Sequence, residues 1–192
     1  KLEAGEQVAP VSTFEAPVYT SISMDGKVRL GFHQVTRPEG NNTLESYVSN
    51  ARGMNVIVPT WFNVVSGDGT YTSLASRDYV DKAHDMGLKV WAMVENVSTE
   101  ESVKNLNTKT LMSSTSTRKK LIEKLMNEAD TYGFDGFNLD FESLKAEAGP
   151  HYVQFIREMS VACRNKGLVL SVDNYVPSSY TAFYNRREQG IV

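Results

Sequence analysis

The residues best suited to chemistry lie close together in Tyr132-Gly-Phe-Asp-Gly-Phe-Asn-Leu-Asp-Phe-Glu142. On a β-strand successive side chains point to opposite faces, so Asn138, Asp140 and Glu142 share one side while Phe137, Leu139 and Phe141 share the other. Asp and Asn are poor strand formers, and two acids and an amide in line on one strand need a reason. In an antiparallel sheet the reason is a solvated outer face. In a parallel sheet both faces are covered, the acids face a cleft, and carboxylates in such places take perturbed pKa values and move protons. The surrounding elements decide between the two.

Upstream, Thr117–Thr131 reads as a helix with Leu121, Ile122, Leu125, Met126 and Ala129 on one stripe, closed by Gly133. Downstream, Pro150 opens a helical pattern through Tyr152, Phe155, Ile156, Met159 and Cys163, which ends at Gly167. Earlier segments repeat the arrangement. Val28–Val35, Asn55–Phe62 and Leu88–Val94 read as strands. Helices capped by Thr43 and Ser76 follow the first two and close at Gly53 and Gly87, and a fifth strand spans Leu168–Tyr175. Helix-ending glycines thus recur at the spacing of a βα unit, ~30 residues or more, which predicts an α/β fold with a parallel sheet. Between an open doubly wound sheet and a (β/α)₈ barrel, the first strand decides nothing by itself. No Gly-rich phosphate loop follows it, however, where a nucleotide-binding sheet would place one.

At 192 residues the chain can bury a sizeable core, and 41% hydrophobic with 22% charged residues is ordinary for a globular protein. A net charge of −3 offers no basic footprint, so no nucleic-acid partner is expected. No apolar run is long enough to span a bilayer. The single cysteine, Cys163, excludes an internal disulfide framework and reads as an inert buried thiol. Residues 1–27 read as a linker or N-terminal extension, with a tight hairpin at Asp25-Gly26. A start at Lys1 without Met or signal peptide reads as a processed or engineered piece.

Asp135-Gly-Phe-Asn138-Leu-Asp140-Phe-Glu142 resembles the DxxDxDxE signature of glycoside hydrolase family 18, the chitinase-like enzymes, with Asn138 where the pattern has its middle Asp. Arg29–Thr36, Asn55–Phe62, Lys89–Asn96 and Leu170–Pro177 are also similar to bacterial members. The resemblance covers roughly Val28 to the end. It implies a (β/α)₈ TIM barrel of which only about the first five βα units are present, so that 28–192 is the N-terminal part of the catalytic barrel. The open edges of such a piece are sites for self-association.

In a barrel the chemistry sits at the C-terminal ends of the strands. Those ends carry Phe32, His33 and Gln34, then Thr60, Trp61 and Asn63, then Glu95 and Asn96, then Asp140 and Glu142, then Asp173, Asn174 and Tyr175. Aromatics and amides around acids suit a sugar. Substrate contacts are therefore expected from Phe32, His33, Gln34, Trp61, Asn63, Asn96, Asn174 and Tyr175. Several have a plainer reading: His33 equally suits a satisfied core group, Trp61 and Trp91 suit core, Glu95 and Asn96 suit loop caps, and His84 and His151 suit helix surface.

The resemblance further implies a retaining, substrate-assisted mechanism acting on β-linked N-acetylglucosamine glycans of the chitin or peptidoglycan type. Glu142 would be the general acid and Asp140 would orient the substrate's 2-acetamido group, whose oxygen is the nucleophile. Asn138 would stand beside them without the usual charge. Asp135 and Gly136 would shape the turn. A non-catalytic, lectin-like member of the same fold is the alternative, against which stands the intact Glu142. No metal and no cofactor are expected, and a secreted or cell-envelope location follows from the resemblance alone.

Overall fold

The computed structural model of the protein describes residues 23–96 and 101–174, the side chains of 101–106 excepted. Its strands are Leu30–His33 (β1), Val56–Pro59 (β2), Phe62–Val64 (β3), Tyr71–Ser73 (β4), Lys89–Asn96 (β5), Gly136–Asp140 (β6) and Val169–Val172 (β7). Its α-helices are Leu44–Ser49 (α1), Arg77–Asp85 (α2), Glu101–Ser113 (α3), Thr115–Tyr132 (α4) and Gly149–Asn165 (α5), with a 3₁₀ turn at Pro38–Thr43.

The wall of the fold is the parallel series β1, β2, β5, β6, β7. Spatial order follows chain order, which a barrel wall does and a doubly wound sheet does not. The faces agree. One side of the sheet carries the main core, to which Leu44 of α1, Tyr79, Val80 and Ala83 of α2, Leu111 and Met112 of α3, Leu121 and Leu125 of α4, and Phe155 and Met159 of α5 all contribute. The other side carries a small cluster of Val56, Val58, Trp91 and Met93, packed with Leu30 and Val169 and with no helix residue. The helices therefore sit on one face, and the helix-free face is the inner one of a partial TIM barrel.

Local signals set the helix ends. The Ser76 hydroxyl accepts from the Tyr79 amide at 3.3 Å and so caps α2. Gly133 ends α4 at φ +76°, donating its N–H to the Ala129 carbonyl at 2.8 Å, a conformation that a side chain would strain. Ser114, rather than a residue inside the helix, caps α4 by accepting from Thr117 N–H at 3.4 Å, so the helix begins two residues before the expected Thr117. Thr43 does not cap α1. Its hydroxyl donates to the Gly40 carbonyl at 2.8 Å and faces His33 instead.

Three features depart from the sequence reading. The strand expected as Asn55–Phe62 is broken: register passes from Ile57 opposite Val90 to Phe62 opposite Val94, so one extra residue sits at Thr60–Trp61. This bulge reverses the inward–outward alternation of everything after it. The chain also runs on through β3 into an antiparallel pairing with β4. Helix α3 was not foreseen, because its Ser, Thr and Asn residues weaken the apolar period and are poor helix formers. Asp25 and Gly26 form a bend, with Gly26 at φ +79°, and no strand precedes β1 among the described residues.

Candidate active site

Alternation along the strands builds the inner face in layers. Trp91, Met93 and Glu95 of β5 stand in register with Gly136, Asn138 and Asp140 of β6, and Gly136 and Asn138 with Val169 and Ser171 of β7. The lowest of these layers is apolar. Trp91 fills it, and a Cβ on Gly136 would lie 2.5 Å from the Val169 carbonyl oxygen and 3.0 Å from Trp91 Cδ1. Glycine is thus required at 136 by close approach. The next layer holds Met93, Asn138 and Ser171. Above it, at the C-terminal ends of the strands, come Glu95, Asp140 and, just past β7, Asp173, whose backbone N–H donates to the Leu139 carbonyl at 2.9 Å.

Asn138 is fully buried. Its Nδ2 donates to Ser171 Oγ and to Asp173 Oδ1, both at 3.2 Å, and its Oδ1 has no partner among the described residues. Asn63 follows the bulge, lies in register with Glu95, and also has a buried Oδ1 without a partner. The acids are felt behind the strand too. Burial, then the charges of Asp140 and Asp173, push the Tyr152 phenol far above its ordinary pKa, so it stays neutral where it packs on Phe141 with ring centroids 5.3 Å apart.

Glu142 lies two residues past the end of β6, with its residue exposed to solvent. Its backbone is held: its N–H donates to Asn96 Oδ1 at 2.8 Å and its carbonyl accepts from Asn96 Nδ2 at 3.0 Å. Ser143 then turns the chain at φ +56°.

The other expected contacts divide by face. Phe32 is on the inner side of β1, exposed, and Gln34 is exposed just beyond it. Asn174 is exposed beside Asp173, and Tyr175 lies outside the described residues. Three residues turn the other way. His33 is buried on the helix side, between Tyr79 Oη at 2.8 Å and Thr43 Oγ1 at 2.9 Å, so both ring nitrogens are occupied by the protein and neither is left for a sugar. Burial holds its pKa below the ordinary value. Trp61 is rotated outward by the bulge. It is fully buried, edge-on to Tyr79 at 5.1 Å, with its indole N–H donated to Asn41 at 2.9 Å. Asn96 also faces the helices, and its amide is engaged by Glu142 and Thr108 rather than aimed into the cleft.

Asp135 belongs to the opposite end of the strands. Its carboxylate accepts from Lys89 Nζ at 2.7 Å, His84 Nε2 at 2.8 Å and Val90 N–H at 2.9 Å. Burial alone would raise its pKa, but these donors outweigh it and hold the carboxyl below its usual range. His84, read from sequence as a surface residue, is thereby a partner of the motif's first acid. Burial raises the Cys163 thiol to about 12, which fits an inert side chain. Among the described residues no group of three His, Cys, Asp or Glu is placed to hold a metal ion, and no helix is long and apolar enough to cross a membrane.

Chemically, the C-terminal rim offers a row of carboxylates flanked by inward amides with free acceptor oxygens, and one acid, Glu142, at the mouth. Clustered acids retain protons that isolated ones lose, and the amides can take N–H and O–H donors of a polar ligand.

Comparison with known proteins fits this geometry. The sequence model for glycosyl hydrolases family 18 matches residues 32–186. Among solved structures, the C-terminal domain of a putative chitinase from Desulfitobacterium hafniense superposes with a TM-score of 0.67 at 16% identity, over 83% of this chain and 49% of that one. The spore cortex-lytic enzyme SleL of Bacillus cereus gives 0.64 at 18% identity, over 74% of this chain and 34% of that one. A chitinase from Bacteroides thetaiotaomicron gives 0.61 at 20% identity, over 76% of this chain and 46% of that one. The chain therefore spans half or less of the length of these structures. No curated protein matches the sequence.

Proposed function

The chain belongs to glycosyl hydrolases family 18, and from that premise we propose that it carries the acid half of a glycosidase site for β-linked N-acetylglucosamine glycans, of the chitin or peptidoglycan type. The observation that carries the reading is the placement of Asn138, Asp140 and Glu142 along one strand, on the helix-free face and at its C-terminal end. In this reading Glu142 donates a proton to the glycosidic oxygen as the bond to the anomeric carbon breaks. The substrate's own acetamido oxygen attacks that carbon from the opposite face, forming a cyclic oxazolinium, and water later opens it with retention of configuration. Asp140 accepts the acetamido N–H and balances the positive charge that develops on the ring. Asn63 and Asn138 present acceptors toward the same space, and Phe32 offers a sugar-stacking face at its edge. A secreted or cell-envelope setting is part of the proposal, since such glycans lie outside the membrane.

The test is Glu142→Gln in the natural full-length protein. Turnover of a chromogenic N-acetylglucosamine oligomer is expected to fall ~100-fold or more, the scale of a lost general acid, with little change in substrate binding or thermal midpoint. Retained activity removes Glu142 from the role.

A further inference from the structure

The proposed acid stands where the sheet can no longer hold it. Pairing between β5 and β6 ends at Glu95 and Asp140, and Glu142 is two residues farther on, immediately before the positive-φ turn at Ser143. A carboxylate on an unpaired strand end would sample several directions, and proton donation needs one. Asn96 supplies what the missing strand would. Its side chain leaves β5 on the helix side, only 5% exposed, and meets both backbone groups of Glu142: Oδ1 accepts the N–H at 2.8 Å and Nδ2 donates to the carbonyl at 3.0 Å. Two opposed hydrogen bonds to a single residue copy the bonding of a strand pair and fix the peptide planes on either side of it. The second Nδ2 hydrogen goes to Thr108 Oγ1 of α3 at 2.9 Å, which settles which end of the amide faces which backbone group.

We propose that Asn96 is a positioning residue for the catalytic acid, a side-chain clamp that extends the motif strand to Glu142 and sets the direction of its carboxyl, with Thr108 orienting the clamp. This rests on the role of Glu142 given above. The clamp lies outside the motif in sequence and outside the cleft in space, and it touches the chemistry only through the backbone of the acid.

Such a role has a signature that mere loss of stability lacks. Protonation matters for a sugar leaving group, whose alkoxide is a strong base, and hardly at all for an activated aryl leaving group such as dinitrophenolate. Asn96→Ala in the full-length protein is expected to cut kcat on an N-acetylglucosamine oligosaccharide by ~10- to 100-fold, the scale of a displaced catalytic group, and kcat on the dinitrophenyl glycoside by ~3-fold or less. KM should stay within about threefold on both, since no substrate contact is removed. Thr108→Val should show the same leaving-group dependence more weakly, and it carries the test if Asn96→Ala does not fold. Equal losses on the two substrates, or none, overturn the clamp. Glu142→Gln is measured alongside: if it loses the oligosaccharide activity while Asn96→Ala does not, only the clamp fails, and if it keeps that activity, the role of Glu142 fails and the clamp with it.

Discussion

Removing the Asp135 carboxylate should weaken the fold and leave the chemistry alone, although Asp135 is the first acid of the motif. Three donors converge on it. The Val90 amide is the one that counts most, because it is part of the sheet wall and loses its partner when the side chain is cut back. A backbone N–H bonded to a charged acceptor is worth about 1.5–3 kcal/mol. The pairs with Lys89 and His84 are weaker, since those side chains are 52% and 37% exposed. Exposed pairs contribute about 0–1 kcal/mol each. Asp135→Ala should therefore cost about 2–4 kcal/mol, and Lys89→Ala well under about 1 kcal/mol. For a domain of this size the first corresponds to a thermal midpoint lower by roughly 5–15 °C. The sign with pH follows from the held-down carboxyl. Because its folded pKa lies below the ordinary 3.8, its contribution is complete above that pH and is lost as pH falls through the folded value. The gap between wild type and Asp135→Asn should accordingly be constant from neutrality to about pH 4 and close in stronger acid. Urea titration across that range measures it, with turnover followed at a temperature where both proteins are folded. A tenfold loss of turnover at unchanged urea midpoint would refute the argument and place Asp135 in the chemistry.

Two other substitutions probe the inner face. Asn138→Asp replaces an amide 3.2 Å from Asp173 with a like charge and adds a carboxylate one inward position below Asp140, so both limbs of the pH–rate profile should move upward and neutral-pH stability should fall; an unmoved profile would mean that these groups are too well solvated to couple. Gly136→Ala drives a methyl group against the Val169 carbonyl at 2.5 Å and against Trp91, which should destabilise by about 1–3 kcal/mol in urea unfolding, and an unchanged midpoint would show that the layer yields.

Much of this protein is written locally. The βα succession, the caps at Ser76 and Gly133, and the row Asn138–Asp140–Glu142 on one strand face follow from periodicity and short-range backbone preferences, which adjacent residues fix among themselves. The match to the motif adds the family. What the sequence left open was every relation that depends on register between strands. One extra residue at Thr60–Trp61 turns Trp61 away from the cleft and Asn63 toward it, and no composition signal marks a bulge whose cause is the pairing on either side of it. His33 is withdrawn from the substrate list because Tyr79 and Thr43, distant in sequence, occupy both its nitrogens. Asn138 meets Asp173, and Asn96 meets Glu142, only because parallel strands bring their ends level. A polar side chain at a strand end suits a ligand, a cap or a clamp equally well by type. Its role is decided by which partner the folded chain puts within hydrogen-bonding reach.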